Sequence, residues 1–158
     1  MSEANPINAL LSRCAAIPGR IAQVVEGRNE KELRARSLPD DWSIVEIFAH
    51  MRAVDDIFTP RIYAILVRDA VALVAYDERR WAEIARYEQL ELHTSLHLFT
   101  LRRAELVNTL RSLALEDWQR IGIHEEWGPM TLLAVLTFFI EHEEEHYAQI
   151  VAINNARS

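Results

Sequence analysis

Residues 131–154 read TLLAVLTFFIEHEEEHYAQIVAIN. Apolar side chains recur at Leu132, Val135, Phe139, Ile150 and Ile153, the three-and-four spacing of one helical face. Gly128-Pro129 halts the preceding chain, so a last helix starts at Met130 or Thr131 and runs to about Asn154. His142 and His146 stand on its apolar stripe, where core residues belong. Four residues apart, they share one face with about 5–6 Å between Cβ atoms. Each buried imidazole needs a polar partner, and one metal ion can serve both. The acidic run Glu141, Glu143, Glu144 and Glu145 reads as a solvated face.

Three more long helices precede this one. Ser43 followed by Glu46 is a capping box, opening a helix that runs to about Val67. Ile44, Ile47, Met51, Val54 and Phe58 form its stripe, and Pro60 can kink it. His50 lies three residues after Ile47 and four before Val54, on or at the edge of that inner face. It is the best third partner for His142 and His146. The first helix covers about Ile7 to Glu26, bent at Pro18-Gly19, and places Cys14 on its stripe as an inert buried thiol. Residues 68–88 show no clear period, apart from a short crossing helix over 77–86. A third long helix spans about Leu90 to Leu113, and Arg103 occupies a position of its apolar stripe. His93 and His97 point about 100° away from that stripe and read as surface residues.

No repeat, linker or low-complexity segment interrupts the chain. Residues 1–158 therefore read as a single all-α domain, a four-helix bundle. The net charge of -7 argues against nucleic acid, because duplex binders replace counterions with basic side chains. A single cysteine excludes an internal disulfide. The first residues lack a basic segment followed by an apolar one, so no signal peptide is expected. The longest uncharged apolar stretch, Pro129 to Ile140, is shorter than the about 20 residues that span a bilayer. These features together favour the cytoplasm, with no membrane partner.

The order of these fragments resembles the DinB/YfiT-like metalloenzyme family. Trp42 to His50 is similar to the entry of that family's second helix. Trp127-Gly128-Pro129-Met130-Thr131-Leu132 and His142 to Ile150 are similar to its last helix. Asp55, Arg61, Trp81, Tyr87 and Arg103-Ala104-Glu105-Leu106 extend the likeness over nearly the whole chain. The resemblance implies a four-helix bundle with long crossing connections, commonly a homodimer. It also implies that His50, His142 and His146 are ligands of one divalent metal ion: zinc, nickel or iron.

Beside those ligands, Glu46 and Gln149 stand where either could orient a ligand imidazole, though Glu46 is more readily taken up by the capping box. Glu143 with His146 matches one Glu-x-x-His element of a di-iron bundle, but no second such element exists. Arg103 or Arg61 is expected to pair with an acid such as Asp55, since a buried unpaired guanidinium is costly. An anion clamp for substrate is the sharper alternative. The site then reads as open and mononuclear, acting on a small-molecule substrate. Activities in the family imply an S-transferase using a low-molecular-weight thiol, ahead of a metal-dependent hydrolase. A non-catalytic bundle that binds a metal or a small molecule is the competing reading.

Overall fold

A computed structural model describes residues 6–156. The N-terminal stretch read for a leader lies, apart from Pro6, outside the described residues. Four long helices form the body: α1 (Pro6–Val25), α3 (Ile44–Val67), α5 (Leu92–Arg111) and α6 (Leu132–Asn155), with two short helices, α2 (Glu30–Arg34) and α4 (Glu78–Ala85), between them. The chain is mostly helical and has the four-helix bundle fold read from its sequence.

Local chemistry sets the helix starts. The Ser43 hydroxyl accepts the Glu46 N–H at 3.2 Å, while the Glu46 carboxylate accepts the Ser43 N–H at 2.9 Å. Two of the N–H groups that a helix start leaves unpaired are thereby satisfied. Asp77 caps α4 by accepting the Arg80 N–H, and Thr131 caps α6 by accepting the Ala134 N–H. α2 is an addition to the helices read from sequence. It is five residues long, too short to show a period, and the Asn29–Glu32 capping box defines it.

α1 packs against α5 and α6, and α3 against α6 and α4. The apolar interior forms two clusters. One gathers around Phe58, Trp118 and Phe139, the other around Phe48, Phe99 and Ile150. Asp55, Arg103 and Glu143 fall between them along their helices, and all three are buried. α3 is the central element, with Ile44 and Ile65 buried near its two ends and His50, Arg52 and Asp55 buried between. Among the described residues no helix is long and apolar enough to cross a membrane.

The all-α expectation needs one addition. Strands β1 (Val71–Leu73), β2 (Ile121–His124) and β3 (Gly128–Thr131) form a small sheet in the order β1-β2-β3. β1 runs parallel to β2, and β2 antiparallel to β3. Strands of three or four residues carry too few alternations to be read from sequence. Gly128-Pro129, read as a stop, opens β3 instead; a proline is tolerated there because β3 is an edge strand. The sheet fastens the crossing segment after α3 to the hairpin before α6.

Gly122 allows this fastening. A Cβ at that position would stand 2.7 Å from Leu73 Cδ1 and 3.0 Å from Ile65 Cγ1, and both neighbours are buried. Gly122→Ala should therefore cost about 1–3 kcal/mol through overpacking, read by denaturant unfolding. An unchanged midpoint would show that the sheet does not hold the crossing segment.

Candidate metal centre

His50 projects from the second turn of α3, and His142 and His146 from the middle of α6. Their Nε2 atoms converge. His142 Nε2 lies 3.4 Å from that of His50 and 3.2 Å from that of His146. Hydrogen bonding cannot account for both contacts. A neutral His142 has one Nε2 site, which either donates one proton or accepts one. Tetrahedral coordination with metal–nitrogen bonds of about 2.0–2.1 Å would set nitrogens about 3.3–3.4 Å apart. The observed spacing and an all-imidazole donor set fit a divalent ion. His50, His142 and His146 are the group with metal-binding geometry found among the described residues.

The imidazoles stay neutral in this setting. Burial first, then the neighbouring His146 and His142 and the charge of Arg79, depress His50 to about 3. Burial and His146 depress His142 to about 4. Burial also lowers His146, against a bond to Gln149. Each ring can thus present a lone pair near pH 7.

Gln149 and Glu46 differ. Gln149 Oε1 accepts the Nδ1 proton of His146 at 3.0 Å, leaving the His146 Nε2 lone pair facing the other rings. Glu46 does not orient His50. Its carboxylate is committed to Ser43 and to Arg36, and His50 Nδ1 is buried without a partner. His93 and His97 are exposed on α5, away from the site.

The imidazoles form part of the wall of an open cavity of about 680 Å³. Trp42 flanks it, with its ring centroid 5.4 Å from that of His50 and stacked 6.5 Å from that of His146. The Arg79 guanidinium covers Trp42 at 4.9 Å. Neither residue stands out as a site residue in the sequence: Trp42 precedes the α3 cap, and α4 carries Arg79 across from a segment without clear period.

Behind the histidines lies a buried ion cluster. Arg103 donates to both carboxylate oxygens of Glu143, at 2.6 and 2.7 Å, to Asp55 at 3.3 Å and to the carbonyl of Cys14 at 3.2 Å. Phe99 and Phe139 lie 4.7 and 5.0 Å from its guanidinium carbon. Burial works against the charge on Arg103, but Glu143 outweighs it and the pKa rises. Arg61 takes no part in this cluster. Cys14 is fully buried, and burial pushes its thiol up to about 11.

Glu143 corrects the reading of a wholly solvated acidic face: it is 0% exposed. It stands four residues after Phe139 and seven before Ile150, a core position that its charge concealed. The apolar stripe is rotated accordingly, and His142 and His146 sit half-buried at its edge.

Residues 15–150 match the model of the DinB superfamily. The chain belongs to the DinB superfamily. A Bacillus cereus relative is 24% identical over 149 residues, covering 93% of this chain and 84% of that protein. One from Oceanobacillus iheyensis is 22% identical over 147 residues, covering 93% and 85%. Both are named as candidate metal-dependent hydrolases. The solved structure of YfiT from Bacillus subtilis, described as a hydrolase candidate with an unusual four-helix bundle topology, superposes with a TM-score of 0.87 at 19% identity. That match covers 99% of this chain and 91% of YfiT. This bundle of the DinB superfamily thus shares the YfiT topology.

Removing one member of the buried cluster strands the other's charge. Arg103→Leu and Glu143→Leu should each cost about 3–5 kcal/mol, and the double variant less than their sum. Denaturant unfolding of the four proteins measures the coupling; additive losses would mean that the pair does not act as a unit.

Proposed function

We propose that this chain is a metal-dependent enzyme that joins a low-molecular-weight thiol to a small electrophilic substrate. His50, His142 and His146 hold one divalent ion in this reading. The observation that supports it is the convergence of three Nε2 atoms, 3.2 and 3.4 Å apart, beside a cavity of about 680 Å³. Zinc matches the nitrogen spacing and favours sulfur; nickel or iron fits the same donors. When bound, the ion supplies Lewis acidity that brings a water or thiol nucleophile into the neutral pH range.

The protein's own groups do the rest. Neutral imidazoles add no charge, so the full positive charge of the ion is retained for an anionic nucleophile. Gln149 holds the His146 tautomer through Nδ1, a support whose loss weakens metal binding about 10–100-fold in comparable sites. Trp42 walls one side of the cavity and sheds water from it. Arg79, over Trp42, adds one positive charge among the carboxylates of Asp40, Asp41 and Glu78 that also line the cavity. The wide mouth leaves room for a thiol together with its acceptor. We further place the protein in the cytoplasm as a homodimer formed by one domain spanning residues 1–158.

Hydrolysis is the second reading, favoured by the names of the two relatives. It needs a proton acceptor beside the attacking water, and Glu78 lines the same cavity. A non-catalytic binding bundle is the third, and it predicts a metal closed off by protein ligands and resistant to chelators.

Elemental analysis of purified protein should give about one equivalent of divalent metal per chain. His146→Ala should lose it while the circular dichroism of the bundle persists. Metal retained in that variant would defeat the ligand assignment. The reaction is read separately, by mass spectrometry of an electrophile panel incubated with several cellular thiols. Conjugates should form with wild-type protein and vanish after chelation. Ester or amide cleavage without any conjugate would transfer the assignment to hydrolysis.

A further inference from the structure

Arg61 and Arg103 are both buried, 8% and 1% exposed, in opposite circumstances. Arg103 has two carboxylates. Arg61 has no carboxylate within ion-pair distance among the described residues. Its Nη2 donates to the Val74 carbonyl, and its Nε is buried without a partner. Its guanidinium carbon lies 4.9 Å from the Phe58 ring and 5.8 Å from that of Tyr76. Burial lowers its pKa, and the more distant Glu78, Tyr76 and Glu125 do not make up the difference. A buried guanidinium without a counter-charge is costly. The fold tolerates one here and lines a cavity with it.

That cavity, of about 480 Å³, adjoins the one flanked by Trp42, and Glu78 and His142 line both. Its walls are aromatic. His124 stacks on Trp127 at 4.2 Å and 12°, and Trp127 lies 4.9 Å from Phe138. His124 Nδ1 accepts the Glu126 N–H at 3.2 Å, so the proton of the neutral ring is on Nε2, a second donor. His142 closes one end, stacked 6.4 Å from Phe138. Ring-lined walls with a few donors are the usual make-up of a small-molecule pocket, and a guanidinium matches a carboxylate with two parallel bonds. Glu78 and Glu126 also line the cavity, and Asp77 is occupied as the α4 cap. Those carboxylates disfavour a dianion.

We propose that this cavity binds a small aromatic monocarboxylic acid, with its carboxylate on Arg61, its ring between the aromatic walls and its far end toward His142. This names a substrate class for the enzyme reading above, and rests on that reading only for the chemistry of the ion that His142 would help to hold. Arg61 acts as a binding residue.

Calorimetric titration of the zinc-loaded full chain with phenylacetate, phenylacetamide and phenyl phosphate tests it. Phenylacetate should bind about tenfold or more tighter than its amide, the strength of a hydrogen-bonded charge, and tighter than the phosphate dianion. Arg61→Met should erase the preference over the amide, and Arg61→Lys should keep part of it. Equal affinity of acid and amide, no binding of the acid, or a preference that survives in Arg61→Met would overturn the proposal. If Arg61→Met does not fold, Trp127→Ala, at a half-exposed side chain, takes its place. It should weaken phenylacetate, and unchanged affinity overturns the proposal. Metal content is measured on the same samples. Acid binding through Arg61 in a chain that holds no metal would sink the enzyme reading and keep the pocket. A metal-loaded chain blind to the carboxylate would do the reverse.

Discussion

The Arg103 guanidinium touches all four long helices at once. It reaches Cys14 on α1, Asp55 on α3 and Glu143 on α6 from its own place on α5. A charge taken out of water is tolerated only with near-complete partnering, so these bonds leave the helices little freedom to slide or rotate. Apolar packing is forgiving, because Leu and Ile stripes fit at several registers. A forked bond to one carboxylate is not. The polar layer between the two apolar clusters therefore selects one arrangement among those that hydrophobic burial alone would accept.

The position of the histidines follows from that selection. Glu143 lies between His142 and His146 in sequence, and its side chain is drawn toward the bundle centre by Arg103. Successive helical residues are rotated by about 100°, so fixing Glu143 inward turns both histidines onto the flank, toward α3 and the cavity. There they meet His50 half-shielded from water, which keeps them neutral while leaving a path for a ligand. The buried charge and the half-buried imidazoles that line the cavity are two outcomes of one helix rotation.

Much of this was legible in the sequence because it rests on local rules. Ser43 and Glu46 announce the start of α3, and the spacing of Leu92, Leu96, Phe99 and Leu106 announces α5. The i, i+4 histidines were visible as misfits on an apolar stripe. His50 was only permitted by its spacing, and the family likeness singled it out. The unread parts depend on contacts distant in sequence. β1 pairs with β2 about fifty positions away, and all three strands are too short to have a period. Glu143 has the charge of a surface residue and the position of a core one, and only the arginine forty residues earlier reconciles the two. Trp42 reaches the cavity from just before the α3 cap and Arg79 from α4; the short crossing helix over 77–86 was legible, but not which of its residues face the histidines.

The small sheet and α4 have a consequence for how such a protein can change over time. α3 and α6 hold the histidines, while the crossing segment and the hairpin supply most of the lining of the cavity beside Arg61. α4 buries only Ala82, and Tyr76 and Trp127 are exposed enough to vary. Substitutions at such positions cost little stability. The histidine cluster and most of the lining beside Arg61 thus lie on separate stretches of chain. Residues 75–78 and 124–127 are therefore freer to change than Arg103 and Glu143, which hold the histidines in place.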